Sequence, residues 1–235
     1  MKEMYVKAAV RYSDALDVKG LIPDAGMRRR MSRLMKMGVA AGMECVRLCG
    51  KPDAIVTATG YGFLSDTEKL LNQMETQGVD MMSPTPFMQS TFNSIGSSIA
   101  ILTECNGENM TFADGWRSAG AAIIYSKMLM DYNDINNILL VMGDEMTPTL
   151  HNILQRMGVM RHGIQPGEGV TAFMLGTCRP QAIAMMKAIK MADMDVKRPE
   201  DLCYPTAVGE RIFNAIVDRK NGTMLIPGAQ WEFTF

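Results

Sequence analysis

Apolar and polar positions alternate with two different periods along the chain, and the alternation lays out strands and helices in turn. Ala8 to Tyr12 reads as a short first strand. Pro23-Asp24 then opens a long helical segment ending before Gly50, with Asp24 as N-cap and Gly50 as the stop. Within it Met27, Met31, Leu34, Met35, Ala41, Cys45 and Leu48 recur at threes and fours and give one apolar face. Asp53 to Thr59 is a short β-rich run of the kind that forms a buried strand. Tyr61-Gly62 makes the turn, and Ser65-Asp66-Thr67-Glu68 is a capping box opening a helix to about Thr76.

Further helices are expected from Ser83-Pro84-Thr85-Pro86 through Asn93, Ile95, Ile99 and Ile101, and from Gly115 to Met130, with Met110 to Ala113 extended between them. Asn137 to Met142 is a second buried strand, leaving through Gly143-Asp144-Glu145. Thr147 to Gly169 reads as loop. Val170 to Gly176 and Ala182 to Ala192 read as antiparallel neighbours joined at Arg179-Pro180. Glu200 to Asp218 is a last helix or helix pair, and Met224 to Ile226 a last strand. Alternating helices and short apolar strands, without repeats or linkers, predict an α/β layered fold around one sheet, as a single domain over 1–235.

Composition changes this picture little. The formal net charge of −1 disfavours a globally basic nucleic-acid binder. No apolar run reaches spanning length, and no signal peptide opens the chain, so the expected setting is cytoplasmic. The five cysteines, at 45, 49, 105, 178 and 203, read as reduced. Cys45 and Cys49 share a helix face, but no second pair completes a tetrahedral set, so no metal and no cofactor are expected.

Few residues advertise chemistry. His151 and His162 fall in the loop-rich stretch, where surface histidines are the plainer reading. Gly60-Tyr61-Gly62 follows a strand as a phosphate loop would, yet neither Gly-rich nucleotide motif is present. Asp144-Glu145 ends a strand, but adjacent carboxylates point to opposite sides, which favours a solvated loop over a catalytic pair. Arg28, Arg29, Arg30, Arg33 and Lys36 place five cations near an expected helix N-terminus, where the macrodipole favours anions. A broken local rule of this sort fits an acidic or phosphate-bearing partner as well as it fits a solvated face.

Taken in order, several segments resemble the β-ketoacyl synthases. Ser83 to Ala100 (SPTPFMQSTFNSIGSSIA) is similar to a synthase helix, with Asn93 and small residues before an apolar pair. Phe112-Ala113-Asp114-Gly115-Trp116 through Ala121-Ala122 resembles the strand-to-helix turn of the same enzymes, and Asn137 to Glu145 the strand that follows. Met27 to Leu34, Asp53 to Val56 and Tyr61-Gly62 extend the likeness towards the N-terminus. Within the family the resemblance is to short chain length factors of aryl polyene and polyketide systems. It implies a thiolase-like fold, a single α-β-α half with a mixed, mostly parallel sheet. It also implies fatty acid or polyketide assembly, and pairing with an active ketoacyl synthase subunit or with a second copy. An acyl carrier protein would be a further partner, met by the arginines 28, 29, 30 and 33.

The departures from the family carry as much weight. Counting from Asn93 forward and from Ala122-Ile123 backward puts Trp116 where an active synthase has its nucleophilic cysteine, or Asp114 with two residues of slippage. Neither is a thiol, and neither His151 nor His162 stands in the context of a synthase histidine. The implied protein is a non-condensing subunit in which Asn93 and Phe112 keep binding positions. The alternative is an active 3-oxoacyl synthase, or another acyl-thioester enzyme, with a relocated nucleophile at Cys105 or Cys178.

Overall fold

The structure, a computed structural model, describes residues 2–79, 84–133, 135–158, 167–191 and 204–235. His162, Cys203 and Ser83 lie outside the described residues. Among the described residues eight strands join one sheet: β1 (Met4–Arg11), β2 (Ala54–Thr59), β3 (Asn109–Ala113), β4 (Asn137–Asp144), β5 (Gly169–Gly176), β6 (Ala184–Met191), β7 (Gly222–Ile226) and β8 (Ala229–Thr234). Their order across the sheet is β3-β2-β4-β5-β1-β6-β8-β7. The helices are α1 (Val18–Leu21), α2 (Ala25–Arg30), α3 (Arg33–Cys49), α4 (Leu64–Gln77), α5 (Pro84–Gln89), α6 (Ser94–Thr103), α7 (Ser118–Tyr132), α8 (Pro148–Arg156) and α9 (Pro205–Val217).

The buried strands alternate by residue, which is why both faces carry helices. Ile138, Leu140 and Met142 of β4 pack with α7 and α9, whereas Leu139 and Val141 face α3 and α6. A strand that is apolar at every position can only sit between two covered faces, and the run from Ile138 to Met142 is fully buried. The layered α-β-α half expected for a thiolase-like fold is present. Parallel pairing, however, is confined to β2–β3 and β2–β4, and every other neighbour pair is antiparallel. β5 and β6 are not neighbours either. β1 lies between them and pairs antiparallel with both.

Three further differences from the sequence pattern have local causes. The long first helix is two helices, α2 and α3, separated by extended backbone at Met31 and Ser32. The break rotates the apolar face, burying Met37, Val39 and Ala40 while leaving Leu48 54% exposed. The expected helix from Pro84 likewise divides into α5 and α6. The expected loop after Thr147 begins with α8, which is capped by the Thr147 side chain on the Leu150 amide and has Pro148 at its first position.

α7 is held unusually close to the β7–β8 hairpin. A Cβ at Gly120 would lie 1.8 Å from the Pro227 carbonyl oxygen, a backbone atom in a two-residue turn that cannot swing aside. Gly120→Ala gains about 1 kcal/mol in helix propensity but must push α7 off the hairpin. The account therefore expects net destabilisation of about 2 kcal/mol in urea unfolding, and a stabilised variant would contradict this packing.

Candidate functional site

Because β2, β3 and β4 run parallel, their C-terminal ends lie together, with Thr59 opposite Ala113 and Ala58 opposite Met142. Ligand sites of open α/β sheets form at such ends. Here the loops 60–62, 114–117 and 145–147 meet, and α4, α7 and α8 begin. The start of β5 (Gly169 opposite Asp144) and the first turn of α9 complete the rim.

Asp144 is the centre of this arrangement. Its carboxylate is buried and accepts from the Thr59 hydroxyl (3.3 Å), the Gly60 amide, the Thr206 amide (3.0 Å) and the Thr206 hydroxyl (3.0 Å). Tyr204, at the N-cap of α9, makes no side-chain capping bond, so Asp144 caps that helix from another strand. Burial pushes the Asp144 carboxyl above the ordinary carboxylate range, while the four donors pull it back. The Thr206 hydroxyl also stands 3.1 Å from the Gly169 carbonyl. Its one proton serves one acceptor at a time, so a protonated Asp144 could donate to Thr206 while Thr206 donates to Gly169.

Glu145 turns the other way and does the same for α4. It accepts from the Ser65 amide (2.9 Å) and hydroxyl (2.7 Å). The sequence capping box at Ser65 is therefore not used: the N-cap of α4 is Phe63, without a side-chain bond. Glu68 instead receives the Thr147 hydroxyl (2.6 Å), tying α4 to the start of α8. Burial raises the Glu145 carboxyl, with Asp66 and Glu168 adding to the effect. The expectation of a solvated Asp144-Glu145 loop is overturned, since helix N-termini offer unpaired amides and positive dipole ends that make buried carboxylates tolerable. Tyr61 and Tyr204 close the rim with hydroxyls 2.5 Å apart and ring centroids at 5.4 Å. Burial, then the Tyr61 hydroxyl, raises the Tyr204 phenol.

Trp116 lies in the 3-10 turn Gly115–Arg117 that runs into α7. The turn is tied to β2 by the Gly115 amide on the Gly60 carbonyl (3.1 Å), and Gly115 takes a φ of +53°. The indole is half-buried, its N–H is buried without a partner, and the Arg117 guanidinium sits 5.6 Å from the ring centroid. Asp114 is exposed and 3.3 Å from Arg117. Phe112 packs edge-on to Tyr125 with centroids 5.5 Å apart. Asn93 is exposed before α6 and makes no side-chain capping bond.

The described thiols lie away from this rim. Cys105 is buried before β3 begins, and Cys178 follows Gly176, which pairs with Asn137 at the start of β4. Cys49 ends α3, and burial pushes the Cys45 thiol well above its ordinary value. His151 is exposed on α8. Among the described residues, no cluster of His, Cys, Asp and Glu could hold a metal ion.

The arginine cluster is split by the helix break. Arg28, Arg29 and Arg30 occupy the last turn of α2, the end where cations are favoured, so the expected conflict with the dipole disappears for these three and remains for Arg33 and Lys36 in the first turn of α3. Arg28 donates to the carbonyls of Ile22 and Pro23. Arg33 pairs with Glu168 at 2.7 Å. Arg29 and Arg30 remain exposed. Sequence reasoning missed Thr59, Ser65, Tyr204 and Thr206 as site residues, because only the topology brings them to Asp144-Glu145.

Asp144→Asn should lower stability by about 1–3 kcal/mol, since an amide cannot accept from both sets of donors. A carboxyl raised in the folded state binds its proton more tightly there, so its contribution is fully present below the ordinary carboxylate value and fades as pH rises through the raised one. Urea unfolding should show the gap between native and variant protein narrowing as pH rises above the ordinary carboxylate value. A gap that widens over that range would contradict the assignment.

The fold as a whole recurs in known proteins. The structure is similar to a chain of the ketosynthase ApeO in complex with its chain length factor ApeC from Xenorhabdus doucetiae, with a TM-score of 0.70 and 15% identity over 100% of both chains. It also resembles the ishigamide ketosynthase/chain length factor (TM-score 0.66, 13% identity, 94% of this chain and 84% of that one). A β-ketoacyl synthase from Burkholderia phymatum STM815 is similar at a TM-score of 0.64 and 12% identity, over 82% of this chain and 65% of that one. No curated protein matches the sequence. The sequence profile of the β-ketoacyl synthase N-terminal domain matches residues 10–201, and the chain belongs to that family.

Proposed function

We propose that the chain is a non-condensing, synthase-like subunit of the chain length factor kind, pairing with an active ketoacyl synthase in fatty acid or polyketide assembly. The observation that carries the reading is Trp116 in the turn that opens α7. Condensation needs a thiolate that accepts the acyl chain, and a helix N-terminus is where a cysteine is most easily ionised. An indole accepts no acyl group. Nothing favours a relocated nucleophile among the described cysteines, because Cys105 and Cys178 lie at the far ends of their strands and Cys45 is buried.

β3 supports the pairing. Among the described residues it ends the sheet, with β2 as its one neighbour. The Ile55 amide donates to the Glu108 carbonyl, so ladder alternation turns the amides of Asn109, Thr111 and Ala113 away from β2. The strand carries no charge or proline to guard that edge, and Met110 and the nearby Ile101 are exposed. A partner strand there completes the sheet, with an active synthase subunit as the partner or a second copy of this chain. Arg29 and Arg30 are the cations left to meet an acidic carrier protein. The setting is cytoplasmic in this reading, and no described helix is long and apolar enough to cross a membrane.

Trp116→Cys tests the alignment of the turn. The new thiol should react with iodoacetamide faster than any native cysteine, because the start of α7 lowers its pKa. The variant should be less stable by about 2–3 kcal/mol through loss of a large aromatic side chain. A thiol no more reactive than the buried Cys45 or Cys105 would remove the case for Trp116 at a nucleophile position.

A further inference from the structure

Away from Asp144, a cavity of about 380 Å³ opens where β1 and β6 begin and β8 ends. Tyr5 pairs there with Gly176, whereas Asp144 pairs with Gly169 at the other end of β5. Met4, Val6, Ala184, Met186 and Phe233 turn into the core with α7 and α9, so alternation sends Tyr5, Met185 and Thr234 to the opposite face. One wall is a tight turn, closed by the Ala182 amide on the Arg179 carbonyl (2.9 Å), with Pro180 second and Gln181 left-handed (φ 64°). The Ile183 amide ties that turn to β1 through the Val6 carbonyl (2.8 Å).

Two opposite charges face this cavity without meeting. Glu3 and Arg179 both line it and are both exposed. Among the described residues they make no ion pair, with each other or with any other side chain. The Tyr5 hydroxyl donates to one Glu3 oxygen and leaves the other open. That hydrogen bond, then burial, raises the Tyr5 phenol, and Arg179 is close enough to pull it back. The phenol therefore keeps its proton and holds Glu3 to one side, while the proline turn holds Arg179 to the other. Between them the wall is apolar: Ile183 is 42% and Phe235 39% exposed, and Met185 is half-buried.

We propose that this cavity binds a small zwitterion of the α-amino acid kind with an apolar side chain. Glu3 takes the ammonium, Arg179 takes the carboxylate, and the side chain lies on Ile183, Met185 and Phe235. Opposite charges held apart over one recess select a ligand that carries both. A simple anion would face Glu3, and a simple cation would face Arg179. An apolar recess of this volume with a few convergent polar groups is the ordinary form of a small-molecule site. The site is separate from the Asp144 rim and does not depend on how Trp116 is read.

The test is a titration of the native protein with leucine followed by amide NMR. Three probes run beside it: leucinol, which lacks the carboxylate, 4-methylpentanoate, which lacks the ammonium, and glycine, which lacks the side chain. Leucine should shift the Ile183, Met185 and Thr234 amides below about 10 mM, and each probe should bind at least about fivefold more weakly. Arg179→Gln should weaken leucine about tenfold and leave leucinol unchanged. Glu3→Gln should weaken leucine about tenfold and leave 4-methylpentanoate no weaker. Both side chains are exposed, so the melting temperature should hold, and either variant decides alone. No shift at these amides, leucinol or 4-methylpentanoate binding as tightly as leucine, or unchanged leucine affinity in either variant would overturn the proposal.

Discussion

The constraint on which the junction depends is the burial of two adjacent carboxylates at the end of β4. Asp144 and Glu145 can be buried only because each meets unpaired backbone amides, and those amides belong to loops and helix starts. Asp144 joins the end of β2 to the start of α9, and Glu145 joins β4 to the start of α4. From these two bonds the rest of the junction follows. Thr147 caps α8 while donating to Glu68, and Glu168 takes the Met146 amide (3.3 Å) while pairing with Arg33. Two charges that cost free energy to bury thereby fix where α9 and α4 begin.

The α7 turn is set against the same frame. Gly60 donates its amide to Asp144 and its carbonyl accepts from Gly115, so the loop that holds the carboxylate also holds the turn carrying Trp116. Trp116 stands just before a helix with a left-handed glycine preceding it, and in the proposed alignment this is the nucleophile position, held here by an aromatic. An indole offers no lone pair suited to attack an acyl thioester, which is why the proposed reading rests on this residue.

Much of the architecture was legible in the sequence where one period dominated. The segments Asp53 to Thr59 and Asn137 to Met142 are short and rich in apolar and β-branched residues, and both hold strands in the structure. The helix from Gly115 was visible, and so was the turn that bears Trp116. The break at Met31-Ser32 was not, because Met27 and Met31 continue the apolar spacing across it and no glycine or proline marks it. α8 hid behind a proline that starts a helix as readily as it ends one. The site was half legible: Asp144-Glu145 stood out, and their divergence held, but their donors come from Thr59, Ser65 and Thr206, which only long-range topology supplies. At Arg28, Arg29 and Arg30 the basic cluster misled for a related reason, since moving a helix boundary by a few residues exchanges one dipole end for the other.

The central claim is that this chain carries no acyl group of its own and serves a subunit that does. It is tested most directly by incubating the native protein, alone and with an active ketoacyl synthase, with acyl carrier protein bearing a radiolabelled acyl chain, and separating the chains under denaturing conditions. The account predicts label on the synthase and none on this chain in either sample. Hydroxylamine-labile label on this chain, formed in the absence of the synthase, would contradict it.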